Sequence, residues 1–195
     1  MANYNSVEEM FNAGITNMTV EINNVKYNDN SYTLQAPDFL NYNTIYVNGN
    51  SWFGFGSSTE HLKVNRRDAA MHYLYSEIGA IGLTKFFKIR WSGYSYYSST
   101  SSSYRLIYDV VLWQNGDISL KMDTIPSSYN NGSYELSWNN TTYYISVSST
   151  YPHYTFKLRS DGRFDSSNRI IEIPNPLFLI KYQDKYYTHI LDEEN

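Results

Sequence analysis

Residues 86–122 read FFKIRWSGYSYYSSTSSSYRLIYDVVLWQNGDISLKM, and this stretch decides the fold. Its apolar side chains alternate with polar ones, so Phe87, Ile89 and Trp91 share one face of a first predicted strand. A second predicted strand repeats the pattern with Leu106, Tyr108, Val110 and Leu112. Asn115-Gly116 then predicts a tight turn with two positive-φ residues, and a third strand follows. We therefore expect three consecutive antiparallel strands.

The predicted connection between the first two strands, residues 92–103, is built almost wholly of Ser and Tyr. It is far longer than the two to five residues that a hairpin needs. Tyr offers a wide amphipathic contact area at low entropic cost, and Ser adds adaptable hydrogen bonding. One interpretation is a ligand-binding surface at Tyr94, Tyr96 and Tyr97. The other is a flexible, solvated loop in a low-complexity Ser run.

The composition of the 195-residue chain is typical of an all-β protein. Aromatic residues make up 17%, with 21 tyrosines, and charged residues make up only 17%. The length suffices for one principal domain with a substantial core. Further turn signals at Asn48-Gly49, Asn139-Asn140 and Asp161-Gly162 recur at short spacing, which is typical of a sandwich or jelly roll. We therefore predict an antiparallel, jelly-roll-like β-sandwich.

Both ends of the chain differ from the predicted sandwich, which we place at residues 15–173. Ser6 and Glu9 match a capping box, which predicts a short N-terminal helix in residues 1–14. Pro174 and Pro176 precede a predicted C-terminal hairpin in residues 174–195. A hairpin of that size is too small to fold alone, so it either packs back on the domain or begins a following module.

Several classes of partner are not favoured by the charge and hydropathy of the chain. The net charge is −4, and no basic cluster extends beyond Arg66-Arg67, so we expect no nucleic-acid partner. Residues 1–12 lack a basic segment followed by an apolar one, so we expect no secretory signal. No apolar run approaches the length of a membrane span, so we expect no membrane insertion. Cys is absent, which excludes disulfides and thiolate metal sites.

The sequence gives little sign of catalysis. The four histidines never approach metal-ligand spacing, and no common catalytic motif occurs, so we expect no metal, no cofactor and no enzymatic activity. Paired carboxylates for glycoside cleavage stay open as an alternative, drawn from Glu60, Asp68, Glu77, Asp109 and Glu135. Among these, Asp109 is best explained as a cross-strand partner of Lys88 or Arg90.

Aromatic side chains are the most suggestive feature for function. An aromatic ring stacks on the apolar face of a sugar, while polar side chains meet the hydroxyls. Trp113 is the strongest tryptophan candidate for such contact, because it lies on the face opposite Leu112 and just before an exposed turn. The alternative is a core position, which is the more frequent one for Trp in an all-β domain.

Three stretches in order resemble modules of phage tail fibres, tail-tip receptor-binding proteins and large bacterial adhesins. They are IYVNGNSWFGFG (45–56), FKIRWSGYS (87–95) and YDVVLWQNGDISLKM (108–122). The tail segment LFLIKYQDKYYTHI (177–190) is similar to short hairpin modules that follow such domains. The resemblance covers structural positions, not catalytic ones.

The resemblance implies a non-enzymatic β-sandwich domain of a virion that contacts a host-surface glycan or protein. It also implies contacts with other virion proteins and, as is usual in such fibres, a homotrimer, although the chain has no heptads or collagen-like repeat to form a stalk. Two alternatives remain open: a structural decoration or assembly subunit of the virion, and a small glycan depolymerase.

Overall fold

A computed structural model of the chain describes residues 20–22, 31–57, 59–64, 68–81, 84–128, 133–146, 152–167, 177–182 and 185–190. The strands are β1 (Val20–Ile22), β2 (Ser31–Gln35), β3 (Thr44–Asn48), β4 (Trp52–Phe55), β5 (His61–Lys63), β6 (Ala70–Ile81), β7 (Thr84–Tyr94), β8 (Arg105–Trp113), β9 (Ile118–Thr124), β10 (Ser133–Trp138), β11 (Thr141–Ser146), β12 (His153–Leu158), β13 (Phe164–Ser167), β14 (Leu177–Tyr182) and β15 (Lys185–Ile190). A single 3₁₀ turn, Ser102–Tyr104, precedes β8.

Two antiparallel sheets contain these strands, which confirms the predicted all-β sandwich. Within the described residues, the larger sheet has nine strands in the order β13-β12-β9-β8-β7-β6-β14-β15, with β1 also paired to β6. The smaller sheet has six in the order β11-β10-β5-β4-β3-β2. Among the described residues, no helix combines the length and apolar character that a membrane crossing requires.

The connections are simpler than those of the predicted jelly roll. Strands β2 to β5 follow one another in the smaller sheet, and β6 to β9 follow one another in the larger sheet. The chain then adds β10 and β11 beside β5, and β12 and β13 beside β9. Each sheet is therefore built around a four-stranded meander with a later hairpin added beside it, whereas a jelly roll is built from two Greek keys.

The predicted C-terminal hairpin is present as β14 and β15. Leu177 pairs with Ala80 and Phe178 pairs with Gly79, so the hairpin extends the larger sheet on the side of β6 that faces away from β7, where β1 also pairs. The predicted N-terminal helix lies outside the described residues. The division into segments 1–14, 15–173 and 174–195 stays a prediction.

A single large core fills the space between the sheets. Trp91 and Tyr108 are fully buried on the inner face of the larger sheet and stack at 5.6 Å between ring centroids. Phe53 of the smaller sheet meets the Tyr108 ring edge-on. The alternating apolar positions of the sequence thus point inward from both sheets, and their burial is the main stabilising contribution to the fold.

Most of the tight turns differ from the predicted two-residue form. Trp113 N–H donates to the Asp117 carbonyl, and only Gly116 has a positive φ, of 94°. This is a three-residue turn, in which a type I turn is followed by one left-handed residue. The turn at Asp161-Gly162 has the same form, with Gly162 as its left-handed residue. The turn at Asn48-Gly49 also has three residues, and its left-handed residue is Ser51. Among these four turns, all within the described residues, Asn139-Asn140 is the one with two residues and both φ values positive.

Candidate ligand-binding face

The predicted loop at residues 92–103 is shorter than expected. Ser92, Gly93 and Tyr94 continue β7, because each pairs with a residue of β8, so the irregular segment is residues 95–101. Ser95 anchors this segment: its N–H donates to the Tyr104 carbonyl at 2.7 Å, and its buried hydroxyl donates to the Ser128 carbonyl at 3.0 Å. The loop is therefore tied at its base and not merely solvated.

Tyr96 and Tyr97 of this segment form a ring cluster with Tyr104, which lies in the 3₁₀ turn that follows. The ring centroid of Tyr96 lies 5.1 Å from that of Tyr97 and 5.3 Å from that of Tyr104. Tyr97 is 45% exposed, and Tyr96 and Tyr104 are half-buried. The loop thus presents aromatic surface held by its own packing.

Tyr94 lies at the end of β7, on the outer face of the larger sheet. The Arg105 guanidinium lies 5.0 Å from the Tyr94 ring centroid, and the His72 ring approaches it edge-on at the same distance. Arg105 also donates to the Ser92 hydroxyl and the Gly93 carbonyl. A guanidinium held by two hydrogen bonds and a cation–π contact fixes the Tyr94 ring in place.

An open groove runs along the outer face beside Tyr94. Its lining consists of three cross-strand pairs of β6 and β7, and its volume is about 520 Å³. The pairs are Tyr73 with Ser92, Tyr75 with Arg90, and Glu77 with Lys88. We call this the β6–β7 groove. Because Ser92 lines the groove and is bonded to Arg105, the groove meets the Tyr94 site at one end.

A β-bulge in β6 shapes the end of the groove. The register between β6 and β7 shifts between Met71 and Tyr73. Met71 is therefore buried in the core, whereas Tyr73 is 41% exposed, although an unbroken strand would place both on one face. Gly93 lies opposite Met71, and a Cβ there would overlap the Ala70 carbonyl oxygen, so this crossing needs a glycine.

Ion pairs with buried carboxylates lie on the outer face. Arg90 donates to Asp109 through Nε at 2.8 Å and through Nη2 at 3.1 Å, which confirms the predicted cross-strand partnership of Asp109. This hydrogen bonding raises the pKa of the Arg90 guanidinium. Lys88 forms an ion pair with Glu77. Both carboxylates are buried, and both cations are more exposed than their partners.

Trp113 does not offer the exposed ring that the sequence suggested. It lies on the face opposite Leu112, as expected, but it is only 9% exposed and packs with Phe86 and Val111. Its indole N–H donates to the Ser119 hydroxyl at 2.7 Å. Although Trp113 lies next to a turn, its ring is covered, because it belongs to a small buried cluster on the outer face. We call Tyr94, Tyr96, Tyr97 and the β6–β7 groove the candidate binding face, and Trp113 lies outside it.

Two of the three other candidate carboxylates, Glu60 and Glu135, have partners of their own. Glu60 accepts from the Asn139 N–H at 2.7 Å, and Glu135 lies 3.3 Å from His61 Nε2. Asp68 is exposed. Within the described part of the chain, no three His, Asp or Glu side chains converge in a way that would hold a metal ion.

Tyr73 and Tyr75 line the β6–β7 groove, although the sequence alone did not single them out. Met71, Tyr73 and Tyr75 alternate along the sequence, which predicts a strand near residues 70–76, and β6 confirms this strand. The sequence pattern does not show which strand pairs with β6, and this pairing decides which side chains lie beside the two tyrosines. Once β7 is its neighbour, the alternating Lys88 and Arg90 of the quoted stretch place polar side chains next to these tyrosines.

Comparison of the chain with protein-family models, curated proteins and solved structures gives no significant match.

Proposed function

We propose that this protein is a non-enzymatic component of a phage virion, of the tail-fibre or tail-tip kind, that binds a host-surface glycan through Tyr94, Tyr96 and Tyr97. The carrying observation is an aromatic cluster displayed on a loop that is tied at its base. The assignment to a virion rests on the resemblance of the three quoted stretches.

The chemistry of the loop supports glycan recognition. Tyrosine rings give flat surface for the apolar face of a pyranose, and their hydroxyls can hydrogen-bond to it. Residues 95–104 have no charged side chain. They include five serines besides Ser95, and these supply small hydroxyl groups. Because Ser95 and the ring contacts already order the loop, less conformational entropy is lost when a ligand binds.

A glycan array tests this proposal. The Tyr96→Ala/Tyr97→Ala variant should bind at least about 10-fold more weakly than the parent protein, since two contact rings are lost. The matched control is Tyr144→Ala, because Tyr144 is 62% exposed but lies on β11 of the smaller sheet. A double variant that binds as well as the parent would remove the loop from recognition.

A structural role in the virion is the second candidate. The same uncharged, aromatic loop suits a desolvated contact with a neighbouring subunit, since interface cores are depleted of charge and enriched in Tyr. Cross-linking in intact particles that finds residues 95–101 buried between subunits favours this role. Light-scattering mass separates the assemblies: a trimer supports a fibre, and a monomer supports an isolated module.

A further inference from the structure

The β6–β7 groove is too long and too polar to serve only as the margin of the tyrosine loop. Strands rise by about 3.4 Å per residue, so the groove lining from Lys88 to Ser92 is about 14 Å long, and the path reaches about 20 Å when it continues to Tyr94. Tyr73 and Tyr75 lie along this path on β6, and the first is 41% exposed. The face can therefore contact an extended ligand at several points.

The charges in the groove cancel. Glu77 pairs with Lys88, and Asp109 pairs with Arg90, so the two cations of the lining each have an acidic partner. Asp123 lies 3.5 Å from Arg90 and adds a negative charge at one side, while Arg105 adds a positive charge at the Tyr94 end. An anionic ligand would have to compete with buried carboxylates for both cations.

Paired charges of this kind suit a ligand rich in hydroxyl groups. A sugar hydroxyl can accept from the partly exposed Lys88 or Arg90 and donate to the exposed carboxylate of Asp123, because each hydroxyl is both donor and acceptor. Hydrogen bonds to ionised groups are stronger than those between neutral groups. The Tyr73 ring adds an apolar surface beside them.

From these observations we propose that the β6–β7 groove binds a neutral oligosaccharide of several sugar units, which lies along β6 and β7 and ends at Tyr94. This inference rests on the proposed glycan recognition and names its ligand class. The loop tyrosines then contact one end of the chain, and the groove contacts the units behind it.

Titration calorimetry on the full chain tests the inference with defined probes. The neutral probes are oligosaccharides of glucose and of N-acetylglucosamine, from one to about six units long. The longest probe is chosen to exceed the span of the groove. Anionic probes are oligogalacturonates and sialyllactose. We expect affinity for a neutral series to rise at least about 10-fold between one unit and the longest probe. Between about 50 mM and about 500 mM NaCl it should change less than about 2-fold, because no net charge is neutralised.

Substitutions at Tyr73 test whether the oligosaccharide lies in the β6–β7 groove. Tyr73→Ala should weaken binding of the longest neutral probe at least about 10-fold, while leaving the weak single-unit affinity within about 2-fold. Tyr73→Phe keeps the ring and should stay within about 3-fold of the parent. Tyr144→Ala is again the matched control. Thermal unfolding of each variant shows whether the fold is retained.

The outcomes separate this inference from the function on which it rests. Binding that needs Tyr96 and Tyr97 but is unaffected by Tyr73→Ala overturns the groove and leaves glycan recognition standing. Binding restricted to the anionic probes, or lost with salt, also overturns it. No binding to any probe or to a wider glycan array overturns both proposals.

Discussion

Arg90 of β7 and Asp109 of β8 face each other on the outer side of the larger sheet and share two hydrogen bonds. Their burial is unequal: the Asp109 side chain is 3% exposed, whereas that of Arg90 is 39% exposed. Removing Arg90 therefore leaves a buried carboxylate without its main partner. Removing the carboxylate leaves a cation that reaches water and Asp123.

We expect Arg90→Met to lower the free energy of unfolding by about 3 kcal/mol, because an uncompensated buried charge is costly. Asp109→Asn should cost less, about 1 to 2 kcal/mol, since an amide still accepts a hydrogen bond and the cation is hydrated. Urea unfolding of both variants measures the difference. The control is Arg159→Met, whose side chain is 53% exposed and lies 3.3 Å from Asp161. That change should stay within about 0.5 kcal/mol. Equal losses for Arg90→Met and Asp109→Asn would contradict the argument from burial.

Ser51 combines a strained backbone with a buried hydrogen bond between the sheets. Its φ is 66°, and its hydroxyl lies 2.6 Å from the Tyr108 hydroxyl. Ser51→Ala loses the bond and keeps the strain, whereas Ser51→Gly loses the bond and relieves the strain. We expect the Gly variant to be more stable than the Ala variant by about 1 kcal/mol, because Gly adopts positive φ without penalty. Thermal and urea unfolding of the pair measure this difference, and an Ala variant at least as stable would show that the turn stores no strain.

The raised pKa of Tyr134 should make the stability of the fold depend on pH in the alkaline range. Its hydroxyl is buried, and this burial raises its pKa from the ordinary 10.0 to about 12. Above pH 10 the unfolded chain releases this proton while the folded chain retains it. The free energy of unfolding should therefore be insensitive to this group below pH 10 and fall as pH rises toward 12. Tyr134→Phe should make that fall shallower in urea unfolding measured across the range. An unchanged pH dependence would contradict the assignment.

A matched pair of Tyr→Phe variants separates the two buried hydroxyls at neutral pH. Within the described residues, the Tyr134 hydroxyl has no hydrogen-bond partner, whereas that of Tyr108 is bonded to Ser51. Tyr134→Phe removes an unsatisfied polar group and should stabilise by about 1 kcal/mol. Tyr108→Phe leaves the Ser51 hydroxyl unsatisfied and should destabilise by about 1 to 2 kcal/mol. The same sign for both variants in urea unfolding would contradict this reasoning.

Trp113 should matter for stability and not for binding. Trp113→Phe loses the indole bond to Ser119 and leaves a gap beside Phe86, so we expect a loss of about 1 to 3 kcal/mol. Binding to any glycan found for the parent protein should stay within about 2-fold, because the ring is buried. A folded Trp113→Phe variant that loses binding would return Trp113 to the binding face.

Much of the sheet arrangement could be predicted because it depends on local alternation. The period-two pattern of residues 86–122 predicted β7, β8 and β9, and it placed Arg90 and Asp109 on matching faces. It did not predict that Trp113 is covered, because alternation assigns a side chain to a face without saying what packs on that face. It also could not locate the bulge after Met71, since a bulge is decided by how β6 pairs with β7.

The sequence by itself determined the class of fold and the identity of the aromatic loop, because strand alternation and turn composition are properties of neighbouring residues. Only the tertiary structure decided which tyrosines share a surface. Tyr73 and Tyr75 lie beside Arg90 and Ser92 because two strands pair in one register, and a one-residue shift in that register would place them elsewhere.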